Sequence, residues 1–307
     1  MPIDSDIQTM LDQMEAVGFP HPGEISAAEM RAMLAGVNAA MPVGPEMELV
    51  QDHVIDGSIP IPVRLYIPKG EIRAALLHLH GGGWTLGDIE SSDFASRTYA
   101  QRLRCAVLAV DYRLAPEHPF PAAVEDSYTG LLWAAENIRR LIGRNPPLIV
   151  GGDSAGGNLS AVMCQLARDR DGPAIAVQIL INPATNGDMD APALSAFESP
   201  FLTRDEIRWF YDQYVPNQQD RADPRMAPIL AASLEGLPPA FVLTCEYDLL
   251  RDEGEAYASR LALSGVATVL KRYPGTTHSF LPQNPWLKRS QEAFADIDRF
   301  ITGFVNE

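Results

Sequence analysis

The run PPLIVGGDSAGGNLSAVMC occupies residues 146–164 and joins a short apolar segment to an amphipathic one through a glycine-rich turn. Its centre fits the pattern G-x-S-x-G, in which a serine sits on a tight turn between a strand and a helix. Gly152 and Gly156 permit such a turn because they carry no Cβ atom. The run therefore predicts a buried strand, a nucleophile at Ser154 and a helix whose positive dipole end faces the serine.

Predicted strands and helices also alternate before and after this run. Residues 48–67 alternate in polarity around Asp56-Gly57, which predicts a β-hairpin. Continuous apolar runs predict strands buried on both faces of a parallel sheet, and a more polar run, Thr268–Tyr273, is typical of a sheet edge. The buried strands are predicted at Ala74–Leu79, Ala106–Val110, Leu148–Val150, Ile175–Ile181 and Ala240–Cys245, and helices at about 92–103, 122–141, 156–169, 251–264 and 287–304. The pattern indicates an α/β fold with a mostly parallel sheet of about eight strands flanked by helices.

Two segments do not follow this alternation of strands and helices. Residues 1–45 have a helical pattern, and residues 183–225 contain no good strand but include an aromatic helical stretch, Thr203–Tyr214. An insertion at this point would lie over the carboxyl edge of the sheet. We therefore predict one domain over 1–307, with a helical cap formed by about 1–45 and 183–225.

The composition excludes several classes of partner. The 24 Lys and Arg residues against 40 Asp and Glu residues give a net charge of −16, which disfavours nucleic acid and anionic membrane surfaces. No stretch approaches the ~20 apolar residues of a membrane span, and the first twenty residues lack the pattern of a secretory signal. Three widely spaced cysteines predict neither disulfides nor a zinc site. We therefore expect a cytoplasmic protein; the cysteines are Cys105, Cys164 and Cys245.

A second glycine-rich loop, HGGGW at 80–84, follows the strand Ala74–Leu79. Glycines let backbone N–H groups approach a substrate and stabilise an oxyanion, and the residue after the nucleophile, Ala155, offers another such group. His78 and His80 share a strand face, but no second ligand cluster accompanies them, and His80 is expected to hold the loop. No run matches a dinucleotide or P-loop pattern, so neither a metal nor a cofactor is expected.

A general base and its acid follow from chain order. In proteins with a G-x-S-x-G serine turn, the acid follows the serine in the chain and the histidine base follows the acid. His278 is the only histidine after Ser154. The segment FVLTCEYDLLRDEG supplies the candidate acids Glu246, Asp248, Asp252 and Glu253. Glu246 is almost within the strand, and Asp252 and Glu253 stand where helix capping is their expected role. Asp248 lies in the middle of the predicted loop between the strand and the next helix. It is the predicted acid, with Asp252 as the alternative.

Together these motifs resemble the hormone-sensitive-lipase group of bacterial carboxylesterases, which have the α/β-hydrolase fold. The matching runs are HGGGW (80–84), DYRLAPEHPFPAAVED (111–126), GGDSAGGNL (151–159), EYDLLRDEG (246–254) and HSF (278–280). The resemblance implies a triad of Ser154, Asp248 and His278, oxyanion donors at Gly82, Gly83 and Ala155, and a helical cap. Two positions depart from the family pattern: Leu249 replaces a usual Pro, and Ser279 replaces a usual Gly.

The resemblance implies a serine carboxylesterase for small-molecule esters with short-to-medium acyl chains, which needs no cofactor. A lactonase, an amidase or a peptidase on the same fold, and a non-catalytic small-ligand receptor, are the alternatives. Trp84 is a candidate for packing or for the substrate pocket, and Phe201 and Leu202 are candidate pocket walls. The predicted edge strand near 268–273 offers a route to a homodimer.

Overall fold

The computed structural model describes residues 2–18, 20–40, 43–195, 197–281 and 284–305. Residues 1, 19, 41, 42 and 196, which belong to the predicted cap segments, lie outside these ranges. Eight strands form one sheet in the order β1-β2-β4-β3-β5-β6-β7-β8. They are β1 Met47–Ile55, β2 Ile61–Pro68, β3 Ala74–Leu79, β4 Cys105–Val110, β5 Leu148–Asp153, β6 Val177–Ile181, β7 Ala240–Tyr247 and β8 Thr268–Thr277.

The sheet is antiparallel only at its first edge. β1 pairs with β2 and β2 with β4 in antiparallel fashion, and every later pair is parallel. The carboxyl ends of β3, β5, β7 and β8 therefore meet at one edge, where ligands bind in open α/β sheets. The predicted fold class is confirmed.

Helices cover both faces of the sheet. They are α1 Ser5–Val17, α2 Ala27–Ala40, α3 Asp93–Leu103, α4 Ala122–Ile142, α5 Ala155–Asp169, α6 Arg204–Tyr214, α7 Arg251–Leu263 and α8 Lys288–Phe304. Alternate residues of one strand enter different cores: Leu77 packs with α4 and α5, whereas Leu76 packs with α3 and α8. This two-sided burial explains why the central strands are apolar without interruption.

Several strand ends differ from the predicted ones. β5 continues to Asp153, and β8 runs to Thr277 because its pairing with β7 resumes after an irregularity, with Tyr247 opposite Thr277. β6 begins at Val177 rather than at residue 175. β8 occupies the edge of the sheet, as its polar pattern predicts.

The two predicted cap segments contact each other. His21 Nδ1 lies 3.0 Å from Glu206 Oε1 of α6, and a Cβ atom on Gly23 would lie 3.2 Å from the Trp209 ring. Helix α6 begins with a capping box between Thr203 and Glu206. Among the described residues, no helix has the length and apolar character needed to cross a membrane.

Candidate active site

Ser154 stands on the turn between β5 and α5, with φ 55° and ψ −117°. This positive φ is disfavoured for a residue with a Cβ atom, and such strain often marks a functional position. A Cβ atom on either Gly152 or Gly156 would overlap the Leu79 carbonyl oxygen of β3. The two glycines are therefore required by close packing against the neighbouring strand as well as by the turn. The Ser154 amide donates to Ile181 O at 2.8 Å and fixes the turn on its other side.

His278 and Asp248 form a buried pair at the ends of β8 and β7. His278 Nδ1 lies 2.8 Å from Asp248 Oδ2, and the Leu250 amide donates to Asp248 Oδ1 at 3.0 Å. Burial alone lowers the pKa of His278, but the charges of Asp248 and Asp153 and the hydrogen bond to Asp248 raise it above the ordinary value. Because a carboxylate only accepts hydrogen bonds, we assign the proton of the neutral ring to Nδ1, which leaves Nε2 as the nitrogen that can accept a proton.

The other candidate acids are engaged elsewhere. Asp252 is half-exposed and accepts from Arg251 Nε at 2.7 Å, and Glu246 accepts from the Gly275 amide at 2.7 Å. The capping role expected for Glu253 is wrong. Its partly buried side chain accepts from the amides of Thr185 at 2.6 Å and Asn186 at 3.3 Å, at the start of the segment that precedes α6.

The glycine loop after β3 has a fixed conformation. Gly82 and Gly83 have φ values of 108° and 58°. A Cβ atom on Gly82 would overlap the Leu86 carbonyl oxygen, and one on Gly83 would overlap the Phe210 ring of α6. Both positions therefore require glycine, and the loop begins beside the turn of Ser154, because β3 pairs with β5 up to Leu79 and Gly152.

Residues 111–126 contact this loop and hold it in place. Tyr112 stacks on the His80 ring with centroids 4.3 Å apart and donates its hydroxyl to His80 O at 2.7 Å. Arg113 pairs with the buried carboxylate of Asp126 through two hydrogen bonds of 2.8 and 2.7 Å. These contacts attach the loop to helix α4 and give this run a structural role.

His78 and His80 are buried in the strand and loop. Burial lowers the pKa of His78 to about 3, so its ring is neutral, and its Nδ1 lies 2.9 Å from Ser96 Oγ. His80 Nδ1 lies 2.7 Å from Gly81 O. Among the residues that the structure describes, no group of His, Cys, Asp and Glu side chains is arranged to hold a metal ion.

The three candidate pocket residues occupy different surroundings. Trp84 is buried, stacks on Tyr214 at 4.7 Å and meets Tyr211 edge-on at 5.3 Å, so its surroundings are those of a packing residue. The Phe201 ring lies 6.4 Å from that of His278. Leu202 is partly buried and packs against the hydrophobic core.

A cavity of about 650 Å³ lies between the glycine loop and α2, and Gly81, Gly82, Asp153 and Ser279 are among its lining residues. Sequence reasoning assigned no role to Asp153. Burial raises the pKa of its carboxyl to about 6, while the charge of His278 and the amides of Asp153 and Gly81 lower it. Its position directly before Ser154 was the only signal in the sequence that it would face the site.

Comparison with known proteins agrees with this geometry. A family model described as the alpha/beta hydrolase fold matches residues 76–282. The carboxylic ester hydrolase LipN of Mycobacterium tuberculosis is 45% identical over 82% of this chain and 69% of its own length, and the carboxylesterase NlhH of the same organism is 41% identical over 82% and 81%. A solved hyperthermophilic esterase from Pyrobaculum calidifontis superposes with a TM-score of 0.90 at 39% identity and covers 99% of each chain. The chain therefore belongs to the α/β-hydrolase family, within its hormone-sensitive-lipase-like group of carboxylesterases.

Proposed function

We propose that this chain is a serine carboxylesterase in which Ser154 is the nucleophile, His278 the general base and Asp248 the acid that orients it. The observation that carries this proposal is the buried contact of 2.8 Å between His278 Nδ1 and Asp248 Oδ2, at the sheet edge where Ser154 occupies a strained turn. Relatives named as carboxylic ester hydrolases support the same reaction class.

In the first half of the reaction, Ser154 Oγ attacks the ester carbonyl carbon and His278 Nε2 accepts the hydroxyl proton. Asp248 keeps the histidine in the required tautomer and stabilises the imidazolium that forms. We assign the oxyanion to the amides of Gly82, Gly83 and Ala155, which are preorganised donors for the developing charge. When the tetrahedral intermediate collapses, His278 returns the proton to the leaving alcohol, and an acyl-enzyme remains.

In the second half, water takes the place of the alcohol. His278 removes a proton from the water as its oxygen attacks the acyl carbon, and the same amides hold the second oxyanion. Collapse of this intermediate breaks the bond to Ser154 Oγ, returns the proton to the serine and releases the carboxylic acid.

We propose that the substrates are small esters that bind next to the triad. The cavity beside the glycine loop has a volume of about 650 Å³, and the Phe201 ring faces His278. We propose that Phe201 and Leu202 line the substrate site, that the segments 1–45 and 183–225 cap it, and that short-to-medium acyl chains fit beneath them. A series of p-nitrophenyl esters of increasing acyl length tests this size limit, and a rate that rises up to long chains contradicts it.

Replacement of Ser154 by alanine tests the proposed reaction. The Ser154→Ala variant should fold and melt like the parent protein but lose turnover of p-nitrophenyl butyrate and labelling by an organophosphate. Undiminished hydrolysis by this variant would overturn the assignment. Rates on an ester, a lactone and an amide of matched acyl group identify which bond is the preferred substrate.

Two further proposals concern the assembly and location of the chain. β8 lies at an edge of the sheet, where Val269 and Leu270 are exposed, which supports a homodimer through residues 268–273. Light scattering of the parent protein and of a Val269→Lys variant tests this, and a monomeric parent contradicts it. The three cysteines are buried free thiols, which is compatible with a reducing cytoplasm, and cell fractionation tests that location.

A further inference from the structure

Ser279, the residue after the proposed base, adopts an unusual backbone conformation. Its φ is 61°, in the left-handed region that glycine enters freely and that a residue with a Cβ atom avoids. A serine in such a conformation next to the proposed base points to a use for its side chain.

Ser279 is one of the residues that line the cavity beside the glycine loop. It is partly exposed there, and Asp153, which is 5% exposed, contributes to the same wall. Asp153 precedes Ser154 and Ser279 follows His278, so both wall residues are covalent neighbours of the proposed reacting residues. The wall of the cavity therefore includes the direct chain neighbours of the proposed nucleophile and the proposed base.

The chemistry of these two groups defines what they can bind. A serine hydroxyl donates one hydrogen bond and accepts others, whereas an ionised carboxyl only accepts. Asp153 is almost fully buried, so its carboxyl is shielded from bulk water, and this burial raises its pKa to about 6. A ligand hydroxyl suits this pair because it can donate to Asp153 and accept from Ser279.

We propose that Ser279 and Asp153 form a polar subsite that binds a hydroxyl group of the substrate close to the scissile ester. The inference rests on the proposed esterase function and deepens it: the preferred substrates are hydroxylated esters, and Ser279 is the residue that confers the preference. Sites that hydrogen-bond a substrate hydroxyl discriminate strongly against analogues that lack it. The hydroxyl belongs to either the alcohol or the acyl half of the ester, and the two arms of the experiment separate these sources.

The test compares esters of equal size that differ by one hydroxyl. In the alcohol arm, kcat/KM is measured for 2-hydroxyethyl butyrate and propyl butyrate. In the acyl arm, it is measured for the p-nitrophenyl esters of 3-hydroxypropionate and butyrate. The kcat/KM of the parent protein should be higher for the hydroxylated ester by about fivefold or more in one arm. This ratio corresponds to the net contribution of one neutral hydrogen bond.

Two substitutions separate the hydroxyl from the backbone. Ser279→Ala removes the hydroxyl and keeps the Cβ atom, whereas Ser279→Gly also removes the cause of backbone strain. Both should lower the preference ratio by about fivefold in the same arm. Asp171→Gly is the matched control, because Asp171 is exposed, has φ 49° and lies beyond the end of α5, away from the cavity; it should leave the ratio as in the parent.

The outcomes separate this inference from the function on which it rests. A parent protein with no preference in either arm, or a Ser279→Ala variant that keeps the preference, overturns the subsite. A loss of preference in Ser279→Gly alone also overturns it, because the backbone rather than the hydroxyl would then be responsible. In all of these cases ester hydrolysis itself persists. If the protein hydrolyses no ester and Ser154 resists organophosphate labelling, the proposed function fails first.

Discussion

His278 Nδ1 and Asp248 Oδ2 lie 2.8 Å apart, and both side chains are almost fully buried. The other oxygen of Asp248 accepts from the Leu250 amide at 3.0 Å, so both carboxylate oxygens have defined donors. Asp252, four residues further along, is half-exposed and pairs with Arg251. The geometry therefore separates two aspartates that the sequence places almost side by side.

Replacement of Asp248 by asparagine should strongly impair turnover while the fold persists. The oxygen of the new amide would stay on the Leu250 N–H, so its NH₂ group would face Nδ1. The histidine then takes the wrong tautomer for removing the Ser154 proton. In a serine protease the equivalent change lowers kcat by about 10⁴, and we expect a loss of about 10³ or more here. Steady-state hydrolysis of p-nitrophenyl butyrate measures it.

Asp252→Asn is the matched control for this substitution. It removes a charge of the same sign from an aspartate that is close in sequence but pairs with Arg251 instead of His278. We expect its kcat to stay within about twofold of the parent, since exposed ion pairs contribute little energy. A larger loss in Asp252→Asn than in Asp248→Asn would assign the acid to Asp252.

The glycine loop should be intolerant of a single methyl group. A Cβ atom on Gly83 would overlap the Phe210 ring, and the φ of 58° is unfavourable for alanine. Gly83→Ala should shift the loop and misplace an oxyanion donor. The expected cost is about 10²–10³ in kcat, as for the removal of one such donor, with a smaller change in KM.

Gly70→Ala separates backbone strain from the steric contact. Gly70 also has a positive φ, of 93°, but nothing lies within 4 Å of the position that its Cβ atom would take. This variant should lose some stability, by about 1 kcal/mol, and retain its kcat. Equal losses of kcat in the two variants would contradict a specific role for the loop.

The acid limb of the pH profile should depend on Asp153. Burial lowers the pKa of His278, but Asp248 and Asp153 together raise it above 6.5. Because only neutral histidine can accept the Ser154 proton, kcat/KM rises as the pH rises through this pKa. Asp153→Asn removes one of the two negative charges that face His278, so the limb should move to lower pH on an alkyl ester. Asp252→Asn is the charge-matched control, and an unmoved limb in Asp153→Asn contradicts the coupling.

The sequence predicts the strands well because both faces of the central sheet are buried, and this demands unbroken apolar runs such as Leu148–Val150. Ser154 and the two glycine loops also follow from local rules. The roles of Asp153 and Glu253 did not, because their partners are distant in the chain: Gly81 faces Asp153, and Thr185 binds Glu253. For the same reason the sequence left Trp84 undecided, since its stacking partner Tyr214 lies 4.7 Å away in space on a separate helix.

Glu253 should make the stability of the fold fall as the pH rises from acidic values to about 8. Burial raises the pKa of its carboxyl to about 8, although the amides of Thr185 and Asn186 lower it. The folded state therefore holds a proton that the unfolded chain, with an ordinary glutamate pKa near ~4.3, has already lost. Stability must then fall as the pH rises between these two values, and the fall ends above about 8.

Glu253→Gln isolates this contribution. The amide oxygen of glutamine can still accept from the amides of Thr185 and Asn186 but does not titrate. Between pH 6 and pH 9 the Tm of the parent should fall further than that of the variant. The extra fall is roughly 2 °C for each ~1 kcal/mol by which the titration of Glu253 lowers the free energy of unfolding. Glu253→Ala loses the hydrogen bonds as well and should melt at a lower temperature than Glu253→Gln at every pH. Differential scanning fluorimetry at several pH values measures all three proteins, and parallel curves for parent and Glu253→Gln contradict a titrating Glu253.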